Sequence, residues 1–294
     1  MKLTNKLGLH KVFKKAIEMT ALDYVPVERD FGVTELLQPA RVAALIKTFD
    51  SSLEEDAHDK RNALYGSAFH NLMQRAALVT CGTTSQVEKP LSAKVEVDGT
   101  EYTIAGTPDL IENGVITDWK TCKVWKIVNQ DFLEWEQQLN MYAWLADKNS
   151  CKINDLQVVS FILDWSAAAA RRNKDFPPTG VVTIPFNKWD LHLTESFIKR
   201  RVREHVKARE VLPLCTDEEI KRKPTVYAVT KVGASRATKL CSSMEEAQDF
   251  IERTANQTQM EIQVRPGELV RCDSFPCPAR TVCEQYASYK RTEE

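Results

Sequence analysis

Residues 104–122 read Ile104-Ala-Gly-Thr-Pro-Asp-Leu-Ile-Glu-Asn-Gly-Val-Ile-Thr-Asp-Trp-Lys-Thr-Cys122. Asn113-Gly114 stands between two apolar runs, the strongest short-range signal for a two-residue hairpin turn with positive φ at both central positions. With that turn, cross-strand partners are Glu112 and Val115, Ile111 and Ile116, Leu110 and Thr117, then Asp109 and Asp118. The two aspartates face each other, with Cβ atoms roughly 4.5–5.5 Å apart. Lys120, two residues beyond Asp118, points to the same face of the sheet. Opposed carboxylates repel, so this pair calls for a counter-cation. A hard divalent ion such as Mg²⁺ prefers carboxylate oxygen and retains waters that can attack a phosphoester. Lys120 beside such a water could acidify it, orient it, or stabilise charge growing on phosphorus.

On either side of the hairpin the pattern alternates between helix and strand. Asp98-Gly99 is a second tight turn, between Ala93–Val97 and Glu101–Ile104. The spacing predicts helices over Ala40–Phe49, over about Asp56–Val79, and over Asp131–Ala146, and a further one capped by Asn187 and ending near Leu212. Strands are expected over Ile104–Ile111, Val115–Thr121, Leu156–Leu163 and Val181–Pro185, with a loop over Arg171–Gly180. The order of elements implies a mixed α/β fold around a modest sheet. Residues 216–270 read as a small α+β insertion: strands at Thr225–Val232, Ala237–Cys241 and Glu261–Arg265, and a helix opened by the capping box Ser243-Met244-Glu245-Glu246. The division expected is a 1–215 core, the inserted 216–270 unit, and a cysteine-bearing 271–294 segment that returns to the core.

With 294 residues, 43% hydrophobic and 28% charged, the chain has enough material for a sizeable core and is not a disordered polymer. No apolar run reaches the ~18–20 residues of a membrane span, and the basic start lacks a signal-peptide core, so the cytoplasm is the expected address and a membrane is not an expected partner. The net charge of −1 restricts any nucleic-acid surface to a local patch. One such patch lies on the helix after Asn187, which carries Lys199, Arg200, Arg201, Arg203, Lys207 and Arg209, and Arg200, Arg201 and Arg203 are its candidate DNA contacts. Arg171-Arg172-Asn173-Lys174 is another, and Trp119, Trp125, Trp135 and Trp144 include candidates for stacking on unpaired bases. No GxxxxGK[ST] motif is present, so no nucleotide-driven motor is encoded. Eight cysteines are too sparse for a disulfide scaffold, but Cys272, Cys277 and Cys283 crowd the end of the chain. Three thiols that close suggest a metal or cluster site more than disulfides.

Asp109-x8-Asp118-x-Lys120 matches the PD-(D/E)XK nuclease pattern. Gly66-Ser-Ala-Phe-His70 upstream and Gln138-Leu-Asn-Met-Tyr142 downstream complete an ordered set over residues 66–142. The chain thus resembles the RecB-type exonuclease branch of that superfamily, which includes the CRISPR-associated four-cysteine exonucleases and related phage proteins. The resemblance implies a restriction-endonuclease-like core, a mixed central sheet flanked by helices. It implies that His70, Asp109, Asp118 and the carbonyl of Trp119 bind Mg²⁺ or Mn²⁺, that Lys120 is the catalytic lysine, and that Gln138 and Tyr142 hold Lys120 or the DNA strand. Glu88, at the start of the meander, reads equally as a carboxylate supporting the site or as a solvated strand end. The resemblance also implies a 4Fe–4S cluster on Cys272, Cys277 and Cys283. Here the chain departs from the pattern: no cysteine precedes His70, the first cysteine spacing is longer than the usual two-residue gap, and Cys81 or Cys215 would have to be the fourth ligand. The activity implied is a metal-dependent DNA exonuclease of phage or bacterial recombination, replication or repair, acting in the bacterial cytoplasm on single- or double-stranded DNA with a free end, alongside a helicase or recombination protein. The alternative is a catalytically silent nuclease-like scaffold that binds DNA or a partner.

Overall fold

The computed structural model describes residues 2–20, 27–254, 259–274 and 277–293. In chain order the first part contains β1 (Lys2–Thr4), α1 (Lys11–Thr20), β2 (Phe31–Gly32), α2 (Val33–Leu36), α3 (Ala40–Phe49), β3 (Glu54–Asp56) and α4 (Arg61–Thr80). The meander follows as β4 (Gln86–Val87), β5 (Leu91–Val97), β6 (Thr100–Gly106), β7 (Leu110–Glu112) and β8 (Val115–Cys122). Then come α5 (Val124–Val128), α6 (Leu133–Lys148), β9 (Asp155–Ile162), α7 (Ala167–Arg172), β10 (Val181–Phe186) and α8 (Leu191–Glu210). The last part holds β11 (Val226–Lys231), β12 (Ala237–Cys241), α9 (Met244–Glu252), β13 (Met260–Arg265), α10 (Val270–Asp273) and α11 (Glu284–Glu293). The chain forms two compact units, 1–213 and 214–294, so residues 216–270 and 271–294 fall in one unit.

Strand β8 is the middle of a five-stranded mixed sheet of order β10-β9-β8-β7-β4. It pairs parallel with β9 and antiparallel with β7, and helices α5 and α6 make the crossover from β8 to β9. As a middle strand β8 is covered on both faces, so Ile116, Asp118 and Cys122 on one and Thr117 and Trp119 on the other are all buried, although half of its residues are polar. Ile116 is buried on this strand, against a core that includes Leu139, Met141, Trp144, Leu156, Val158, Ile198 and Val202 from α6, β9 and α8. Each such side chain contributes about 1.5–3 kcal/mol by leaving water. Asn140 is buried too, but it is satisfied: its amide donates to the carbonyls of Glu136 and Asn187, and its oxygen accepts from Trp189 N.

Both hairpin turns form as expected, with positive φ at Asp98-Gly99 and at Asn113-Gly114. The register around Asn113-Gly114 is the expected one, Leu110 to Thr117 and Ile111 to Ile116. The strand expected over Ile104–Ile111 is instead two strands that belong to different sheets. β6 pairs with β5 and β2, and β7 pairs with β8 and β4. The break falls at residues 107–109, where Pro108 has no N–H to give to a ladder. The helix expected from Asp56 starts later, at Arg61. Glu54–Asp56 is drawn into a parallel pair with β1, and the Asp56 carboxylate accepts from the N–H groups of Lys6 and His58. The Arg171–Gly180 loop begins with the end of α7, which Ser166 caps. Asn187 does not cap the long helix. Asp190 does, accepting from His192 N, because Asn140 and Glu136 hold Trp189 and delay the helical turn until the next residue.

In the 214–294 unit, β12-β11-β13 is an antiparallel sheet packed on α9 around Val229, Cys241 and Ala247. Ser243 Oγ accepts from Glu246 N, and the Glu246 carboxylate reaches back to Ser242 N, one residue beyond the usual capping-box partner.

Candidate active site

Register assembles the site. The short β4–β7 ladder pairs Gln86 with Ile111 and Val87 with Leu110. One step further brings Glu88 beside Asp109, where Glu88 N donates to the Asp109 carbonyl over 3.0 Å. The β7–β8 ladder, one step past Leu110–Thr117, brings Asp109 beside Asp118. Three carboxylates from three neighbouring chain segments therefore stand in a row. Asp109 is 6% exposed and Asp118 only 2%. From α4, His70 closes over the row, with Nδ1 at 3.4 Å from Asp109 Oδ2. Gly66, one turn earlier on the same helix, is close to Thr121 alone.

The electrostatics follow from burying several like charges. Asp109 Oδ2 accepts from Trp119 N at 2.6 Å. Even so, burial and then the Asp118 charge push the Asp109 carboxyl well above the usual range, against the pull of Lys120 and that N–H. Burial, then Asp118, also raises Glu88. Lys120 Nζ lies 2.6 Å from Asp118 Oδ2, a buried ion pair at the heart of the site. Burial alone would lower Lys120. The Asp118 and Asp109 charges outweigh it and hold the ammonium above its ordinary value. Lys120 therefore stays charged at neutral pH and can orient or stabilise, but cannot accept a proton there. His70 is lowered by burial and then by Lys120, while Asp118 and the Trp119 carbonyl oppose that shift. Its neutral ring keeps a lone pair for a metal.

The donor set fits a divalent cation. Ligand atoms of His70, Glu88 and Asp109 all lie within 4.8 Å of one another, the one such group among the described residues. Asp118, expected as a ligand, lies outside that group, with its Oδ2 against Lys120. Glu88 is the residue that sequence reasoning weighed and did not select. The signal was faint, since a two-residue strand announces no register and the residue's φ of +48° is unusual for glutamate.

Gln138 and Tyr142, one turn apart on α6, bond each other: Gln138 Nε2 donates to the Tyr142 hydroxyl over 2.9 Å. Both are buried. Burial, then the Asp118 charge, raise the Tyr142 phenol far above its usual range, so it stays protonated facing the carboxylate row. Gly106 makes this close approach feasible. A Cβ there would sit 2.7 Å from Tyr142 Cε1 and 2.7 Å from Val33 Cγ2.

The arginines expected at DNA are all engaged within the chain. Arg201 donates to the carbonyls of Leu36 and Gln38 and pairs with Glu204, clamping α8 to the end of α2. Arg203 makes two 2.8 Å bonds to Asp98 in the β5–β6 turn. Arg200 pairs with Glu204 and lies over the Phe197 ring. Of the four tryptophans, Trp119, Trp135 and Trp144 are core, and Trp125 is exposed. Arg171, Arg172 and Lys174 are exposed as well.

In the 214–294 unit, burial and then the Cys277 and Cys283 charges push the Cys272 thiol up to about 11, and burial also raises Cys277. The three thiols thus sense one another. Their sulfurs do not form a group within 4.8 Å, whereas tetrahedral ligation of one ion needs roughly 3.8 Å between sulfurs. Among the described residues no helix is long and apolar enough to cross a membrane.

No curated protein matches the chain. By structure it is similar to the crystal structure of SSO0001, at 18% identity and a TM-score of 0.50 over 71% of this chain and 90% of that one. It is also similar to an alkaline exonuclease, LHK-Exo from Laribacter hongkongensis, at 12% identity and a TM-score of 0.36, with 61% and 93% of the two chains covered. For LHK-Exo in complex with dAMP the values are 13%, 0.34, 61% and 93%. The likeness to SSO0001 concerns the fold. The sequence carries the assignment, because residues 9–284 match one family throughout: this chain belongs to the PD-(D/E)XK nuclease superfamily.

Proposed function

We propose that the protein is a metal-dependent deoxyribonuclease that hydrolyses phosphodiester bonds from a free DNA end. The observation that carries this reading is the buried Asp109–Asp118 pair with Lys120 held against Asp118, a charge arrangement that needs a cation and still keeps one ammonium beside it. His70, Asp109, Asp118 and the Trp119 carbonyl would hold Mg²⁺ or Mn²⁺. When bound, such an ion supplies Lewis acidity toward a phosphate oxygen and favours ionisation of water. Lys120, charged throughout, orients the attacking water and offsets the negative charge that grows on the phosphate oxygens. The Gln138–Tyr142 pair is a positioning element, fixing α6 against the carboxylate row. The exonuclease mode, a place in phage or bacterial recombination, replication or repair, work in the bacterial cytoplasm and cooperation with a helicase or recombination protein are supported by the motif resemblance.

End-labelled single- and double-stranded DNA, incubated with Mg²⁺ or Mn²⁺, tests the proposal. The wild-type protein should degrade the label from an end and spare closed circles, and Lys120→Ala should lower the rate by ~10²–10³-fold while staying folded. Equal rates in both proteins would place the activity elsewhere. No cleavage by either would favour the silent scaffold. A 4Fe–4S cluster on Cys272, Cys277 and Cys283 is a separate proposal, which rests on the motif resemblance alone. Iron and acid-labile sulfide in anaerobically purified protein would establish it, and their absence would remove it.

A further inference from the structure

We infer that Glu88 is a ligand of the divalent cation, the third carboxylate of a site whose sequence pattern shows only two. This rests on the reading of the row as a metal centre and adds a residue to it. Four observations carry the inference. First, the position is built: β4 pairs with β7 so that Glu88 comes level with Asp109, and the Glu88 N–H is bonded to the Asp109 carbonyl. Second, the backbone bends for it. Glu88 has a φ of +48°, in the left-handed region, and β4 ends at the residue before it. Third, its carboxylate meets the donor atoms of His70 and Asp109 within 4.8 Å. An imidazole and two carboxylates from separate elements come within reach of one cation, the donor types that first-row ions and Mg²⁺ take. Fourth, the charges do not balance without an ion. Glu88, Asp109 and Asp118 face the single ammonium of Lys120, which is taken by Asp118, and the Glu88 side chain makes no hydrogen bond among the described residues.

A carboxylate serving only as a solvated strand end would have no reason to sit half-buried beside His70 and Asp109. A metal ligand would, because the ion turns three repelling groups into a coordination shell. Asp109 accepts from Glu88 N through its carbonyl and from Trp119 N through its carboxylate, so it stands between the Glu88 segment and β8.

The test is Mn²⁺ titration of the full chain, following free Mn²⁺ by electron paramagnetic resonance, with thermal melts in chelator and in saturating Mn²⁺. Glu88→Gln should weaken Mn²⁺ binding at least ~10-fold. In chelator it should melt at or above the wild-type temperature, because one of three like charges is gone, and it should lose most of the rise that Mn²⁺ gives the wild type. A merely structural glutamate would lower both melts alike. Glu88→Asp keeps the charge but shortens the arm, so it should also lose affinity, and it serves if the glutamine variant fails to fold. Binding within twofold of wild type for both variants, with Asp109→Asn abolishing it, would overturn the role of Glu88 alone. Failure of the wild type to bind Mn²⁺ at millimolar concentration would overturn the metal-centre reading, and this inference with it.

Discussion

Substituting Gly106 by alanine asks whether the break between β6 and β7 is needed by the site. The added Cβ would meet Tyr142 Cε1 at 2.7 Å on one side and Val33 Cγ2 at 2.7 Å on the other. Ordinary carbon contacts begin near ~3.5 Å, so the overlap is roughly 0.8 Å on both sides. Neither neighbour can step aside freely, since Val33 and Tyr142 are buried and Tyr142 is bonded to Gln138. Overpacking of this kind costs typically 1–3 kcal/mol, and two opposed contacts place Gly106→Ala at about 2 kcal/mol or more. Urea unfolding followed by tryptophan fluorescence is the assay, because all six tryptophans lie in the 1–213 unit. At ~1–3 kcal/mol per molar urea, the midpoint should fall by about 1 M. Adding Val33→Ala removes one wall, so the double variant should be more stable than the sum of the two single losses by about 1 kcal/mol. Strict additivity, or a Gly106→Ala midpoint equal to wild type, would refute the argument that close approach explains this glycine. The same variant should slow DNA cleavage, because displacing Tyr142 shifts Gln138 with it.

Gly66 contrasts with Gly106. Its added Cβ would meet only Thr121 Oγ1 at 3.8 Å, so Gly66→Ala should raise stability by about 0.5–1 kcal/mol through helix propensity, measured by the same urea assay. If cleavage falls while stability rises, the glycine serves the approach of substrate. His205, 3% exposed, is lowered to about 4 by burial and then by the Arg201 guanidinium. The unfolded ring titrates near ~6.5. Between those values the unfolded chain binds a proton that the folded chain refuses, so stability is full above about pH 6.5 and declines as pH falls toward 4, by up to ~3 kcal/mol. His205→Gln should flatten that decline in denaturation curves collected from pH 8 to 4.5. Arg201→Ala should cost about 2–3 kcal/mol, because it leaves the Leu36 and Gln38 carbonyls without a charged donor. If it left stability unchanged but reduced the salt dependence of DNA binding, the arginine would be a DNA contact instead.

Local chemistry alone was enough to read the Asn113-Gly114 hairpin. Asn113-Gly114 permits positive φ twice, and strand alternation then leaves one register, which brings Asp109 and Asp118 together and puts Lys120 on their face. Helical spacing likewise settled that His70 stands one turn from Gly66 and Tyr142 one turn from Gln138, because i and i+4 share a face in any helix. Tertiary structure decided what depends on neighbours distant in the chain. The break at residues 107–109 passes the strand from one sheet to another, and only the packed Tyr142 and Val33 show why residue 106 has no side chain. Asp190 rather than Asn187 caps α8 because Trp189 is held from another helix. Arg201 looks like a DNA contact in a basic run, yet its partners lie some 160 residues earlier. Glu88 joins the carboxylate row through a two-residue strand too short to leave a pattern. Periodicity records which face a residue takes on its own element. It holds no information on which other element will lie opposite, and in this protein the third carboxylate depends on that.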